Sequence, residues 1–433
     1  MAEIRPFRGV RYDIARVGTL SDVVAPPYDV IDAALQKKLY DLNPANAIRV
    51  ELTREEAGDS EQNNRYTRAA AELKSWRKSG TLREDGQPTF YLYHQIYEVE
   101  GHTHTRKGFF ARVRLEPFGT GRIFPHEKTL SGPKADRLSL YRATGTQLSP
   151  IFGLYPDPTG EILASVEAGL KDRTPLEAVD HLGVINRIWP ITDPTALTKA
   201  QGLMAEKPIF IADGHHRYET GLTYRNELQA AGELADSDDP ANFCMMMLVG
   251  MSDPGLLILP THRLVSGLAG LTSDELSERL AGEFDIEFEG KGAEGAQKCW
   301  TEMQLWGDQD MLAFGTTADD HWITARLRSD DTMDELVPTQ SPDWRALGVS
   351  ILQELVLKHL LAGRGETAVR YVHLLDEVIE DTAARGCDLA CLVPSATMED
   401  VETIASHRET MPPKSTYFYP KLLTGLVFNP LRP

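Results

Sequence analysis

IFIADGHHRYETGL, residues 209–222, decides how the middle of this chain folds. The apolar, β-rich run Ile209–Ala212 predicts a buried strand, and Asp213-Gly214 predicts the turn that ends it. Helical spacing then begins, with Tyr218, Leu222 and Leu228 as its apolar positions. A strand, a glycine turn and a helix in that order aim backbone N–H groups and the positive end of a helix dipole at one spot. Gly214 lets a ligand approach the backbone, and Arg217 adds a planar fork suited to phosphate oxygens. A surface turn whose histidines cap carbonyls is the plainer reading of a His-His pair. The whole string at a strand-to-helix junction is far more specific, and it predicts a phosphate or nucleotide site at Gly214, His215, His216 and Arg217.

IFPHEKTLSGPKADRL, residues 123–138, is the second informative run. Pro125, Gly132 and Pro133 mark it as a loop, where catalytic groups tend to be placed. Phosphoryl transfer to an alcohol needs a carboxylate to accept the hydroxyl proton and cations for the spreading charge. Glu127, with His126 beside it, suits the first role; Lys128, Lys134 and Arg137 suit the second. A solvated charged loop is the competing reading, since surface ion pairs contribute little.

MPPKSTYFYPKLLTGL, residues 411–426, places Lys414, Ser415, Thr416 and Lys421 in a proline-braced segment suited to an anionic group. Tyr417–Tyr419 reads as its anchor. Two N-terminal runs, VAPPYDVI (24–31) and NPANAIRVEL (43–52), offer Tyr28, Asp29, Asn46 and Arg49 as a substrate wall. Asp213, together with Asp29, could hold a magnesium ion that keeps most of its waters.

The Asp213–Arg217 string resembles the ParB/sulfiredoxin superfamily, whose members set a Gly-x-x-Arg turn against nucleotide phosphates. Chromosome-partitioning members carry Glu-Arg between the glycine and the arginine, where this chain has His215-His216. Sulfiredoxins carry a reactive cysteine at the place of His215. Free-serine kinases carry Asp-Gly-His-His-Arg, identical to this chain. The chain as a whole, from Val24 to Leu426, is similar to a domain-of-unknown-function family with the same motif; the kinase likeness covers about residues 120 to 225. The resemblance implies a ParB/sulfiredoxin-like core with flanking α/β segments, and a glutamate counterpart in Glu127. It also implies an ADP or ATP donor, with serine or phosphoserine as the small-molecule partner. Residues 156–206 then read as an insertion that lengthens the gap between the two motifs. Hydrolysis of phosphoserine fits the same residues, and a nucleotide-binding switch without an acceptor is the alternative from another class.

Composition sets the outer limits. At 433 residues, 42% hydrophobic and 25% charged, the chain reads as an ordinary globular protein of two or three domains. The expected segments are an N-terminal α/β part with a long hairpin (1–119), the core with the nucleotide motif (120–265), and a C-terminal α/β domain returning a site loop (266–433). The class expected is mixed α/β, or α+β. Neither a leader sequence nor an apolar run of membrane-spanning length is legible, so a cytoplasmic protein without a membrane partner is expected. Four scattered cysteines read as buried free thiols. A homodimer is left open.

A net charge of −19, from 64 acids against 45 bases, argues against nucleic acid as a partner, because phosphate neutralisation supplies most of such affinity. No duplex-DNA gel shift is therefore expected at micromolar protein and physiological salt. A shift that weakens steeply with added salt would contradict this.

Overall fold

The computed structural model describes residues 2–127, 131–171 and 174–432, with Ser131 described by its backbone alone. The class is mixed α/β, as expected. Contacts divide the chain into two units, residues 1–125, 129–256 and 420–433 forming the first and residues 126–128 and 257–419 the second. This differs from the three segments expected. The hairpin strands Phe90–Val99 and His102–Arg114 lie before residue 119, yet they pair with Ile185–Ile191 and Phe243–Gly250 beyond it. Pairing between residues so far apart leaves no local compositional mark.

Among the described residues, the first unit is built on a nine-stranded sheet. Its order runs Ile123–Pro125, Ile209–Asp213, Ile151–Tyr155, Phe243–Gly250, His102–Arg114, Phe90–Val99, Ile185–Ile191 and Leu176–Val179, with Ile4–Arg5 also paired to His102–Arg114. Ile123–Pro125 runs parallel to Ile209–Asp213, so both strands end on the same edge. The segment expected as an insertion adds Leu176–Val179 and Ile185–Ile191 at the opposite end of the sheet. Phe90, Phe109, Ile151, Ile209, Ile211 and Met246 pack as core, and Met245–Met247 are fully buried as expected.

Local signals placed most elements. Asp32 accepts from the Leu35 N–H and starts the helix Ala33–Leu42. Asn64 and Thr67 form a capping box for Arg65–Ser79, which Gly80 ends in the left-handed region. The β-branched residues of 47–52 suggest a strand, but the segment contains the short helix Ile48–Glu51. Asn46 is the reason. Its side-chain oxygen accepts from the Ile48 N–H while its amide donates to the Asp22 and Val24 carbonyls, so a buried cap overrides the β-branched residues that follow.

The second unit carries an antiparallel six-stranded sheet. Its order is Phe284–Lys291, His321–Leu327, Met311–Thr316, Leu389–Leu392, His262–Ser266 and Ala368–Val372. Thr272 and Thr397 cap the helices Ser273–Leu280 and Met398–Ser406. The apolar run 347–361 is helical, as Gly348–Ser350 followed by the π-helix Ile351–Leu360. Tyr417–Tyr419 pairs with Leu257–Leu259, which anchors the segment that carries Lys414. All four cysteines are free and buried. Among the described residues, no helix is long and apolar enough to cross a membrane.

Two histidines give the fold a pH dependence. Burial, assisted by Lys107, pulls His94 of the first unit down to about 4. Burial, assisted by Arg263, pulls His262 of the second down to about 3. Both are neutral when folded, while the unfolded chain takes up their protons at about pH 6.5. Their contribution is therefore complete above about pH 6.5 and declines as the pH falls towards the folded values. Urea midpoints should drop steadily between pH 7 and 4.5, and His94→Asn should flatten part of that slope. A slope unchanged by the substitution would remove His94 from the account.

Candidate functional site

The strand Ile209–Asp213 and the helix His215–Ala230 meet at Gly214, as the sequence predicts. Gly214 has φ 92°, and a Cβ there would meet the Arg217 guanidinium at 2.9 Å, so both backbone and space require glycine. It offers no side-chain cap to the helix that follows. A long helix behind a glycine N-cap aims its first-turn N–H groups and its dipole at this turn.

Asp213 is the centre of the first unit's constellation. One carboxylate oxygen accepts from the Lys421 ammonium at 2.6 Å, and the other accepts from the Arg217 guanidinium. Burial pushes this carboxyl up, but Lys421 and Arg217 more than reverse that and hold it well below the usual carboxylate range. It is an anion throughout the neutral and mildly acid range. Arg217 is itself buried and also donates to the Pro150 carbonyl. Its fork thus grips Asp213 and the neighbouring strand instead of projecting outwards, contrary to the simple phosphate-fork expectation. His215 is buried close enough to Asp213 to assist its ionisation, and His216 is partly exposed on the helix.

A magnesium ion at Asp213 would compete with two cations for this carboxylate. Both of its oxygens are already paired with cations, and among the described residues no group of three or more histidines, cysteines and carboxylates stands ready for a metal.

Other candidates divide between the two units. Lys134 and Arg137 lie on the helix Ser131–Thr144, not on a loop, because glycine and proline are tolerated in a first helical turn. Lys134 pairs with Glu219 at 2.7 Å. Arg137 is buried, bonds Asp136 and Glu51, and lies 4.3 Å over the Tyr28 ring. Burial pushes the Tyr28 hydroxyl up to about 12, so it stays protonated at neutral pH. Arg217, Asp29 and Glu51 all act on Tyr28 electrostatically, which brings Tyr28 and Asp29 into the neighbourhood of the glycine turn. Arg49 does not join them: it stacks on Tyr40 and donates to its carbonyl. Asn46 serves as the buried cap described above.

In the second unit, His126 and Glu127 meet the C-terminal loop. His126 Nε2 lies 2.8 Å from the Thr416 hydroxyl, and the His126 carbonyl accepts from the Met411 N–H. Glu127 Oε1 accepts from the Lys414 N–H at 3.1 Å. Lys414 has a positive φ of 59°, and Ser415 spends its hydroxyl on the Pro412 carbonyl. Lys128 lies outside the described residues. Of the two lysines in the proline-braced segment, Lys421 is thus at Asp213, and Lys414 belongs with Glu127.

Glu51 went unnoticed in the sequence. It is buried with Arg137 and Ser149, and burial raises its carboxyl in spite of Arg137 and Arg217. Buried between Val50 and Leu52, it reads locally as the polar position of a strand.

A family model described as "Protein of unknown function (DUF1015)" matches residues 4–350. The chain belongs to this family. The DUF1015 match takes in the glycine turn and Glu127 but stops before Lys414 and Lys421. Comparison with the curated proteins gives no match. Among solved structures, a conserved hypothetical protein from Pyrococcus furiosus is similar at 15% identity and TM-score 0.32, over 70% of this chain and 89% of its own. A free serine kinase in complex with AMP is similar at 14% identity and TM-score 0.30, over 69% and 83%. SbnI with a C-terminal truncation, from Staphylococcus aureus, is similar at 11% identity and TM-score 0.35, over 74% and 87%.

Proposed function

We propose that this DUF1015 protein is a nucleotide-dependent phosphotransferase acting on a small hydroxyl metabolite, with serine as the preferred acceptor. The observation that carries the reading is the strand, left-handed glycine and helix N-terminus at Asp213–Arg217, read with the motif the free-serine kinases share. The first-turn N–H groups of that helix would cradle donor phosphates. Lys421 and Arg217 fix the Asp213 carboxylate beside them. The strand Ile123–Pro125, parallel to Ile209–Asp213, leads within two residues to Glu127. In the reaction the acceptor oxygen forms a bond to the terminal phosphorus as the donor's bridging P–O bond breaks. Glu127 takes the hydroxyl proton.

Thermal shift with ADP, ATP and AMP, each crossed with serine and phosphoserine, tests the binding half, because a ligand specific to the folded state raises the melting temperature. Turnover of ADP or ATP is then measured with and without serine. Serine-dependent turnover with phosphoserine as product is expected. Turnover indifferent to any hydroxyl acceptor would make the protein a nucleotide hydrolase or switch, and no nucleotide-dependent shift would end the reading.

A further inference from the structure

Gln95 and Arg106 face each other across the hairpin strands Phe90–Val99 and His102–Arg114, and both are completely buried. Arg106 donates to Gln95 Oε1 through Nε at 3.2 Å and also through Nη2, and Nη2 reaches the Pro420 carbonyl at 2.5 Å. Gln95 turns its amide to the next carbonyl along, that of Lys421, at 3.2 Å, and to Asn186. The guanidinium lies 4.6 Å over the ring of Phe152, and Phe152 is the sheet partner of Asp213. Burial brings Arg106 down only to about 10, so it keeps its charge at neutral pH. A charged group without access to water is expensive unless its donors are satisfied. Here they are spent on Gln95 and the Pro420 carbonyl, while Gln95 takes the Lys421 carbonyl, so the pair together holds two consecutive carbonyls of the segment that delivers an ammonium to Asp213.

We propose that Arg106 and Gln95 are positioning residues for Lys421. They clamp the Pro420–Lys421 backbone and so set the Lys421 ammonium on Asp213. This rests on the phosphotransfer reading only for its effect on the ligand; the clamp itself can be tested without one. A lysine on an unclamped chain would exchange between Asp213 and water. A clamped one presents a fixed positive charge beside the glycine turn.

Competitive acetylation with acetic anhydride, read by mass spectrometry, reports how accessible the Lys421 amine is. Arg106→Met keeps the bulk and removes the donors. Gln95→Glu keeps an acceptor for Arg106 and removes the amide that donates to the Lys421 carbonyl and to Asn186, so it serves if the first variant folds poorly. Lys421 should label about tenfold faster in Arg106→Met, the scale of one lost charged hydrogen bond, and several-fold faster in Gln95→Glu. Asp213→Asn supplies the upper limit. Labelling within twofold of the unsubstituted protein in a folded Arg106 or Gln95 variant would overturn the clamp.

ADP affinity then joins the two ideas. Lys421→Ala and Arg106→Met should each weaken ADP by about tenfold, and Arg106→Met should add almost nothing in the Lys421→Ala background. A purely structural arginine would lower affinity equally in both backgrounds, which would overturn the positioning role. Faster labelling combined with an ADP affinity indifferent to Lys421→Ala would leave the clamp standing and remove Lys421 from the proposed phosphate site.

Discussion

Glu127→Gln is expected to lower turnover by about 10²–10⁴ while leaving ligand affinity nearly unchanged, the usual share of a general base. The substitution is a clean one here. Glutamine retains the Oε1 acceptor that receives the Lys414 N–H, so the contact with the C-terminal loop survives. What it loses is the capacity to hold a proton from the acceptor hydroxyl. Steady-state kinetics with saturating nucleotide and varied serine separate the two quantities. A loss confined to KM, or to folding, would make Glu127 a loop anchor and nothing more.

Arg217→Ala is expected to destabilise the first unit by about 3–5 kcal/mol, the cost of breaking a buried ion pair from one side. The carboxylate of Asp213 would keep Lys421 but lose its second cation, and the Pro150 carbonyl would lose its donor. Urea unfolding followed by a probe in the first unit measures this. Arg217→Lys should recover part of the loss, because one charge is restored without the fork that reaches both partners. Had Arg217 served mainly as an outward phosphate fork, Arg217→Ala would instead keep its stability and weaken nucleotide binding by about 1.5–3 kcal/mol. Denaturation and binding measurements on one protein sample decide between the two.

The Asp213–Arg217 turn was legible because every signal in it is local: a β-rich tetrad, a glycine that must adopt positive φ, and helical spacing directly after. The long hairpin was legible for the same reason. The direction of the Arg217 side chain was not, because it depends on Pro150 and Lys421, which are remote in sequence. Gln95 and Arg106 escaped notice because polar residues in an alternating hairpin read as a solvent face. Their neighbours His94, Ile96, Thr105 and Lys107 are only half-buried while Gln95 and Arg106 are wholly so, and alternation alone does not say which face meets water. At 47–52 the β-branched residues suggested a strand, and the decisive group was the buried Asn46 cap.

The ion pair between Lys421 and Asp213 joins residues 208 positions apart. Residues 257–419, the bulk of the second unit, must be synthesised between them. At about 5–20 residues per second, that separates the emergence of the two partners by on the order of ten seconds or more. Throughout that interval the nascent first unit has Arg106 without the Pro420 carbonyl, Gln95 without the Lys421 carbonyl, and Asp213 without the Lys421 ammonium. Completion of this constellation is thus tied to completion of translation: a prematurely terminated chain carries the glycine turn but lacks the lysine that finishes it.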